Sequence, residues 1–199
     1  EIESVDGVKL LDVDPGAATN RTVVTFVGTP EAVMEAAYKA IVKAGEIIDM
    51  SKHKGEHARM GATDVCPLIP VANISMEETS QWAVKLAKRV GETTHIPTYL
   101  YGASQPNTKR NVLSIIRTGE YEGFFEKIKR PEWKPDFGPA TYSARSGATV
   151  IGARDFLIAY NINLNTTSTR IANRIAFDVR ETGRVVREGN PFTGKIKTD

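Results

Sequence analysis

The sequence is poor in the features that mark several special classes of protein. It has one cysteine, Cys66, which excludes a disulfide within the chain and predicts a reducing compartment, the cytoplasm. No apolar run approaches the roughly 18–20 residues of a membrane span. A net charge of +2, from 26 Lys and Arg against 24 Asp and Glu, is too balanced to imply a nucleic-acid partner, which requires a concentrated basic face. We therefore expect neither a membrane nor a nucleic acid as a partner.

The remaining composition is that of an ordinary globular protein. The 199 residues are 41% hydrophobic and 25% charged, which excludes collagen-like and strongly disordered chains. This length predicts one domain, or one domain and a piece of another. The first residue is Glu1 rather than Met, and no basic and apolar leader follows it. We expect the chain to begin inside a longer gene product.

Strands and helices alternate along the predicted chain. Runs of apolar and β-branched residues predict strands at 7–14, 22–27, 64–71, 97–101, 149–151 and 156–164. Apolar spacings of three and four predict helices at about 30–48, 76–90, 108–117 and 168–181, the second of them opened by a capping box at Ser75 and Glu78. The stretches 49–63 and 120–147 are expected to be irregular. The prolines of the strand at 64–71 predict an edge strand or a strand with a bend rather than a central strand. The alternation predicts an α/β fold, a layered sheet covered by helices.

Two histidines four residues apart are the first candidates for chemistry. His53 and His57 enclose Glu56, a pattern that invites a metal site. Gly55 stands between them and no third ligand is evident, so we expect no metal. Two interpretations stay open: both histidines are solvated loop residues, or one is a general base oriented by Glu56 or by a carboxylate of another loop.

Other candidate residues also have a plain structural interpretation. Cys66 lies in an apolar run, where a buried inert thiol is more typical than a nucleophile. His95 follows a predicted helix and is given no function. The segment 138–147 is polar and bounded by glycines, so it is either a cradle for a planar ring and an anion or a linker.

A second polar group is expected at the end of the first strand. It consists of Asp12, Asp14, Asn20 and Arg21. These residues belong either to a ligand crevice at the carboxyl ends of strands or to a turn that satisfies its own backbone.

Longer motifs give the chain a family resemblance. They are His53–Ala62, Asp64–Val71, Leu11–Asp14, Thr19–Val23, Tyr99–Gly102, Gly119–Gly123, Trp133–Pro139 and Phe156–Leu164. In these segments, which span most of residues 10–183, the chain closely resembles glutamate formimidoyltransferase. That enzyme occurs alone in bacteria and as the amino-terminal part of formimidoyltransferase-cyclodeaminase in animals.

The resemblance implies an activity and a set of site residues. The family transfers a formimidoyl group from N-formimidoyl-L-glutamate to N5 of tetrahydrofolate, late in histidine breakdown. Its catalytic histidine matches His57, which would take a proton from N5 and return it to the departing amine. A family aspartate matches Asp14, a carboxylate that would face the positive formimidoyl nitrogen. Because both substrates carry carboxylates, Arg21, Arg59 and Arg145 are predicted anion clamps.

The family's folate-contacting segment matches one stretch of this chain. The predicted folate-binding residues are Gly138, Pro139, Ala140, Thr141, Tyr142, Ser143, Ala144, Arg145, Ser146 and Gly147. Arg145 and Ser146 stand where the animal sequences have a serine–tryptophan pair. The segment is therefore expected to hold tetrahydrofolate as a co-substrate, with one aromatic contact fewer.

The resemblance also implies an architecture with two α/β subdomains. Residues 1–153 would form most of the first, without its first strand, and residues 154–199 would begin a truncated second. Such a piece is expected to be inactive or poorly soluble alone, and family members are commonly homodimers. The alternatives are a family member that acts on 5-formyltetrahydrofolate, a folate-binding protein without catalysis, and a metal-dependent hydrolase built on His53, Glu56 and His57.

Overall fold

The computed structural model describes residues 1–158 and 162–179, which belong to two compact units, Glu1–Phe156 and Leu157–Asp199. The strands are β1 (Val8–Gly16), β2 (Arg21–Gly28), β3 (Val65–Leu68), β4 (Thr98–Gly102) and β5 (Thr149–Ala153). The helices are α1 (Pro30–Ile47), α2 (Met76–Thr94), α3 (Leu113–Ile116), α4 (Glu120–Lys127) and α5 (Thr169–Val179). A 3-10 turn follows α4 at Pro131–Trp133. No helix among the described residues is long and apolar enough to cross a membrane.

The first two strands form an antiparallel hairpin. Val8 pairs with Gly28 at the open end and Gly16 pairs with Arg21 at the tip, with a bulge between Leu10 and Asp12. Asn20 closes the turn in the left-handed region, with a φ of 47°, a conformation that asparagine tolerates better than most residues. The hairpin is a sheet of its own, with two strands.

The other three strands form a parallel sheet in the order β3-β5-β4. The central strand β5 is buried along its whole length. The predicted edge position of the proline-containing strand is confirmed, because β3 with Pro67 lies at the border of the sheet. Gly152 does not interrupt β5: a Cβ there would overlap the carbonyl oxygen of Tyr101, so the close approach of β4 requires glycine.

Side chains alternate between the two faces of this sheet and fill two cores. Leu100 and Ile151 face a core built with α1 and α2, while Tyr99 and Val150 face a second core built with Ile116 of α3 and residues of α4. Helices therefore cover both faces of the sheet. The predicted mixed α/β class is confirmed.

The capping residues in the sequence correctly predicted where the two long helices begin. Thr29 caps α1 and accepts a hydrogen bond from the amide of Ala32, with Pro30 as the first helical residue. Ser75 and Glu78 form the predicted capping box at the start of α2. His95 caps the C-terminal end of α2, and its backbone is left-handed with a φ of 58°.

Three expectations about the second half of the chain were wrong. The stretch 120–147 contains helix α4, and the helix expected at 108–117 is reduced to the four residues of α3. The strand expected at Phe156–Leu164 is absent from residues 156–158 and 162–164, while 159–161 lie outside the described residues. The last predicted helix is present as α5, and its expected end at 180–181 lies outside the described residues.

Candidate active site

The tip of the hairpin is packed against the loop 49–63, which contains His53 and His57 and is called the histidine loop below. A Cβ at Gly55 would overlap the carbonyl oxygen of Thr19, so glycine permits the contact. The ring of His53 donates through Nε2 to the carbonyl oxygen of Asn20 at 2.6 Å, and the Asn20 amide donates to the carbonyl of Lys54 at 2.6 Å. Two segments more than thirty residues apart in sequence therefore form one surface.

His57 is held by a partner on each ring nitrogen. Its Nδ1 lies 2.6 Å from the carbonyl oxygen of Ala58, and its Nε2 lies 2.8 Å from a terminal guanidinium nitrogen of Arg21. A carbonyl only accepts and a guanidinium only donates, so Nδ1 carries the hydrogen and Nε2 presents a lone pair. The orienting partner is thus a backbone carbonyl rather than Glu56 or another carboxylate. His57 is half-buried, with the nitrogen suited to a base directed at Arg21.

The two histidines do not converge on a common point. His53 Nε2 is bound to the hairpin, and His53 Nδ1 is buried without a hydrogen-bond partner. Within residues 1–158 and 162–179, no group of three or more His, Cys, Asp or Glu side chains is placed to hold a metal ion. The contacts of His53 are those of a residue that fixes the hairpin against the loop.

Asp14 lies on the same face of the hairpin as Arg21. Asp14 pairs with Val23 and Gly16 pairs with Arg21, so the two charged side chains occupy neighbouring positions across the strands, about 7–8 Å apart diagonally. Asp14 is exposed, and its carboxylate makes no hydrogen bond or ion pair with any described residue. The carboxylate is therefore open to a ligand at the tip of the hairpin.

The predicted folate segment adjoins the histidine loop at its carboxyl end. The amide of Ala62 donates to the carbonyl of Ser146 at 2.9 Å, and the amide of Met50 donates to that of Arg145 at 2.9 Å. Gly61 and Gly147 form an isolated antiparallel β-bridge, and a Cβ at either position would overlap backbone atoms of the facing segment. The other end, Gly138, lies against α2. The structure thus brings residues 145–147, but not Gly138, beside the loop.

Tyr142 joins this segment to an aromatic cluster. Its ring centroid lies 5.2 Å from that of Phe125, 5.9 Å from that of Tyr121 and 6.3 Å from that of Phe124. Burial, together with the neighbouring Tyr121, raises the pKa of the Tyr142 phenol. Tyr142 therefore presents a neutral, half-buried aromatic side chain in the segment.

The predicted anion clamps already have partners within the chain. Arg59 is buried, with a relative exposure of 9%, and donates to the carboxylate of Glu122 at 2.7 and 3.2 Å and to Glu120 at 3.4 Å. These bonds lower the pKa of the Glu122 carboxyl below its ordinary value. Arg145 donates to the backbone carbonyl of Glu46. The clamp roles of Arg59 and Arg145 stay predictions, and the observed contacts are those of positioning residues.

Sequence reasoning assigned no role to Asp64, which anchors the histidine loop. Its Oδ1 accepts the amide of Met60 at 2.9 Å, and its other oxygen forms an ion pair with Arg117. Asp64 directly precedes β3, just as the folate segment precedes β5. In open α/β sheets, ligands usually bind at the carboxyl ends of the parallel strands. Asp64 and the folate segment lie instead at the amino ends of β3 and β5, so this expectation does not apply to them.

Cys66 lies apart from this arrangement, within β3. Burial raises the pKa of its thiol to about 12, which disfavours the nucleophilic thiolate at neutral pH. The interpretation of Cys66 as an inert residue is supported.

Comparison with known proteins gives these contacts a family context. Residues 1–154 match the formiminotransferase domain, N-terminal subdomain, and residues 159–198 match the formiminotransferase domain. About half of the second match lies outside the described residues, at 159–161 and 180–198. The boundary expected between residues 153 and 154 stays a prediction.

Similar proteins occur in animals, archaea and bacteria. The formimidoyltransferase-cyclodeaminase of Gallus gallus is 56% identical over 183 residues, which are 92% of this chain and 34% of the relative. Glutamate formimidoyltransferases of Thermoplasma acidophilum and Streptococcus pyogenes are 48% and 41% identical, over 90% and 91% of this chain and 59% and 60% of the relatives. The chain thus spans about a third of the first relative and about three fifths of the other two. With the N-terminal subdomain matched over residues 1–154, the chain belongs to the formiminotransferase family.

Proposed function

We propose that this chain carries the catalytic histidine and part of the folate site of a glutamate formimidoyltransferase. The reaction would move a formimidoyl group from N-formimidoyl-L-glutamate to N5 of tetrahydrofolate, in histidine degradation. The observation that carries the proposal is the state of His57, whose Nδ1–H is fixed on a backbone carbonyl so that Nε2 is the basic atom. The bacterial and archaeal relatives, which are glutamate formimidoyltransferases, support the same reaction.

The residues present fit a flat, folate-like ligand. Tyr142 supplies an aromatic side chain, and the close bridge of Gly61 and Gly147 brings the segment's backbone beside the histidine loop. Thr141 and Ala144 are exposed beside Tyr142. When bound, tetrahydrofolate supplies the nitrogen that accepts the formimidoyl carbon.

His57 would move the proton that the transfer releases. Its Nε2 accepts the proton of the attacking nitrogen as the new carbon–nitrogen bond forms, and returns it to the glutamate nitrogen as the old bond breaks. The Ala58 carbonyl remains on Nδ1–H throughout and stabilises the charged ring. Asp14, exposed on the adjacent hairpin face, would stabilise positive charge on the formimidoyl nitrogen.

Arg21 would bind a substrate carboxylate and release the base in the same movement. In the free chain its guanidinium donates to His57 Nε2 and so occupies the lone pair that must take the proton. A carboxylate is a better partner for a guanidinium than a neutral imidazole, because both ions are charged and two parallel hydrogen bonds are possible. Binding of the glutamate substrate would therefore transfer Arg21 to the ligand.

The test is the transfer rate of purified full-length His57→Ala, with His95→Ala as the matched control. Removal of a general base costs about 10²–10⁴-fold in kcat, so we expect a loss of that order at His57 and none at His95. Tetrahydrofolate and formimidoylglutamate binding are measured in parallel, together with activity on the 5-formyl analogue. Wild-type turnover in a His57→Ala protein that binds both substrates would refute the role of His57. The homodimer and the cytoplasmic location stay predictions.

A further inference from the structure

The motif Gly119–Gly123 matches the family but received no role from the sequence. It forms the start of α4, and the structure places its side chains against both halves of the candidate site. Glu120 and Glu122 reach the histidine loop, while Tyr121 reaches the folate segment. One helical turn thus contacts two segments that lie more than 80 residues apart in sequence, at 53–59 and 142–147.

Glu122 acts on the histidine loop through Arg59. The guanidinium binds both oxygens of Glu122, at 2.7 and 3.2 Å, and donates to the carbonyl of His53 at 3.2 Å. Arg59 is itself only two residues beyond His57, so its side chain ties both ends of the segment 53–59 to α4. Because Arg59 is buried, an uncompensated guanidinium there would be forced to move, and the loop with it.

Tyr121 acts on the folate segment directly. Its hydroxyl donates to the carbonyl of Ala144 at 2.6 Å, and its ring packs against that of Tyr142. The neighbouring rings of Phe124 and Phe125 contact Tyr142 from the same helix. The position of the aromatic side chain in the segment is therefore set by α4.

The backbone of this turn is unusual. Gly119 and Glu120 have φ values of 87° and 51°, and the second is a left-handed conformation that is unfavourable for a residue with a side chain. The strained backbone opens a helix in which Glu120, Tyr121 and Glu122 all make the contacts described above. Strain of this kind persists where surrounding contacts over-determine it.

We propose that residues 120–122 are a positioning element that sets the separation between His57 and the bound folate. Glu122 positions the base through Arg59, and Tyr121 positions the folate segment through Ala144 and Tyr142. This inference rests on the proposed function. It predicts that the two side chains, although adjacent, affect different kinetic constants.

The experiment compares Glu122→Gln with Tyr121→Phe in the full-length protein. Loss of charge-assisted hydrogen bonds at Glu122 is expected to lower kcat about tenfold or more, with KM for tetrahydrofolate within about twofold of the wild type. Loss of the neutral hydrogen bond from the Tyr121 hydroxyl to the Ala144 carbonyl is expected to raise that KM about fivefold and to leave kcat within about twofold. Glu122→Asp, which keeps the charge, should recover part of kcat. Glu126→Gln, on the exposed side of the same helix and paired with Lys129, is the matched control and should change neither constant.

Thermal denaturation of each variant separates positioning from loss of fold. The inference is overturned if both variants change the same constant in proportion to their loss of stability, or if neither changes any constant in an active enzyme. An inactive wild-type protein would instead refute the proposed function. In that case the nuclear magnetic resonance signals of the side chains decide: Glu122→Gln must shift those of His57 more than those of Tyr142, and Tyr121→Phe must do the reverse. Any other pattern refutes the positioning element.

Discussion

Replacement of Asp64 by alanine should test how strongly the histidine loop is anchored. The Asp64 and Arg117 side chains are only 12% and 13% exposed, and Arg117 Nε is already buried without a partner. The variant leaves a buried guanidinium without its counter-charge, which costs about 3–5 kcal/mol. It also leaves the Met60 amide without its acceptor, at a cost of about 1–3 kcal/mol. Since one relaxation serves both groups, we expect a total loss of about 4 kcal/mol.

Urea denaturation followed by circular dichroism measures this loss. For a domain of about 150–200 residues, 4 kcal/mol corresponds to a fall in Tm of roughly 8–16 °C. Asp64→Asn retains the oxygen that accepts the Met60 amide and should lose less. Asp64→Ala combined with Arg117→Met removes the buried charge as well and should recover part of the loss.

The control is Asp6→Ala, which changes an exposed aspartate of the same unit and should alter the free energy of unfolding by less than about 0.5 kcal/mol. A loss below about 1 kcal/mol for Asp64→Ala would refute the anchoring role. An equal loss in the double variant would show that the cost does not come from the uncompensated charge.

Two further predictions concern titratable groups whose pKa is shifted by burial. Because burial raises the pKa of the Cys66 thiol to about 12, iodoacetamide should label Cys66 only in denaturant, and rapid labelling of the folded chain, detected by mass spectrometry, would contradict this. Burial lowers the pKa of Lys127 to about 8, below the ordinary value of about 10.4, so the unfolded chain binds more protons between these values and stability from this group rises with pH across that window. The control is Lys127→Met, which lacks the ammonium that donates to three carbonyls at the end of α3. In urea titrations at several pH values, the free energy of unfolding of the wild type should rise with pH relative to that of this variant. A difference between the two proteins that is independent of pH would contradict the pKa shift.

The elements that could be predicted from sequence are those specified by neighbouring residues. Thr29 and Ser75 cap helices through contacts with residues three positions along the chain, so α1 and α2 could be predicted from the sequence. Pro67 marked an edge strand because it removes one ladder donor. Helix α4 could not be predicted from the sequence, because Gly119 and Gly123 suggest a break in the chain. Its left-handed first residue, Glu120, also contacts Arg59, which is 61 residues away.

The candidate site divides in the same way. The importance of His57 came from the family motif, but its tautomer depends on the Ala58 carbonyl and on Arg21, 36 residues away. Arg59 has the charge of a carboxylate clamp, and the residue type does not show that the carboxylate it meets belongs to Glu122. Such pairings are set by tertiary packing, which no local pattern contains.

The packing of the hairpin tip against Gly55 has a consequence for how the chain can change in length. A hairpin turn such as 17–20 is normally a place where insertions are tolerated, because it is exposed. Here the turn's backbone oxygens meet Gly55 and His53, and the strand that leaves it begins with Arg21. An insertion or deletion that shifts the pairing of β1 with β2 by one position would reverse the face on which Arg21 stands, since side chains alternate along a strand. The guanidinium would then point away from His57, so the contact between Arg21 and His57 constrains the length of this turn.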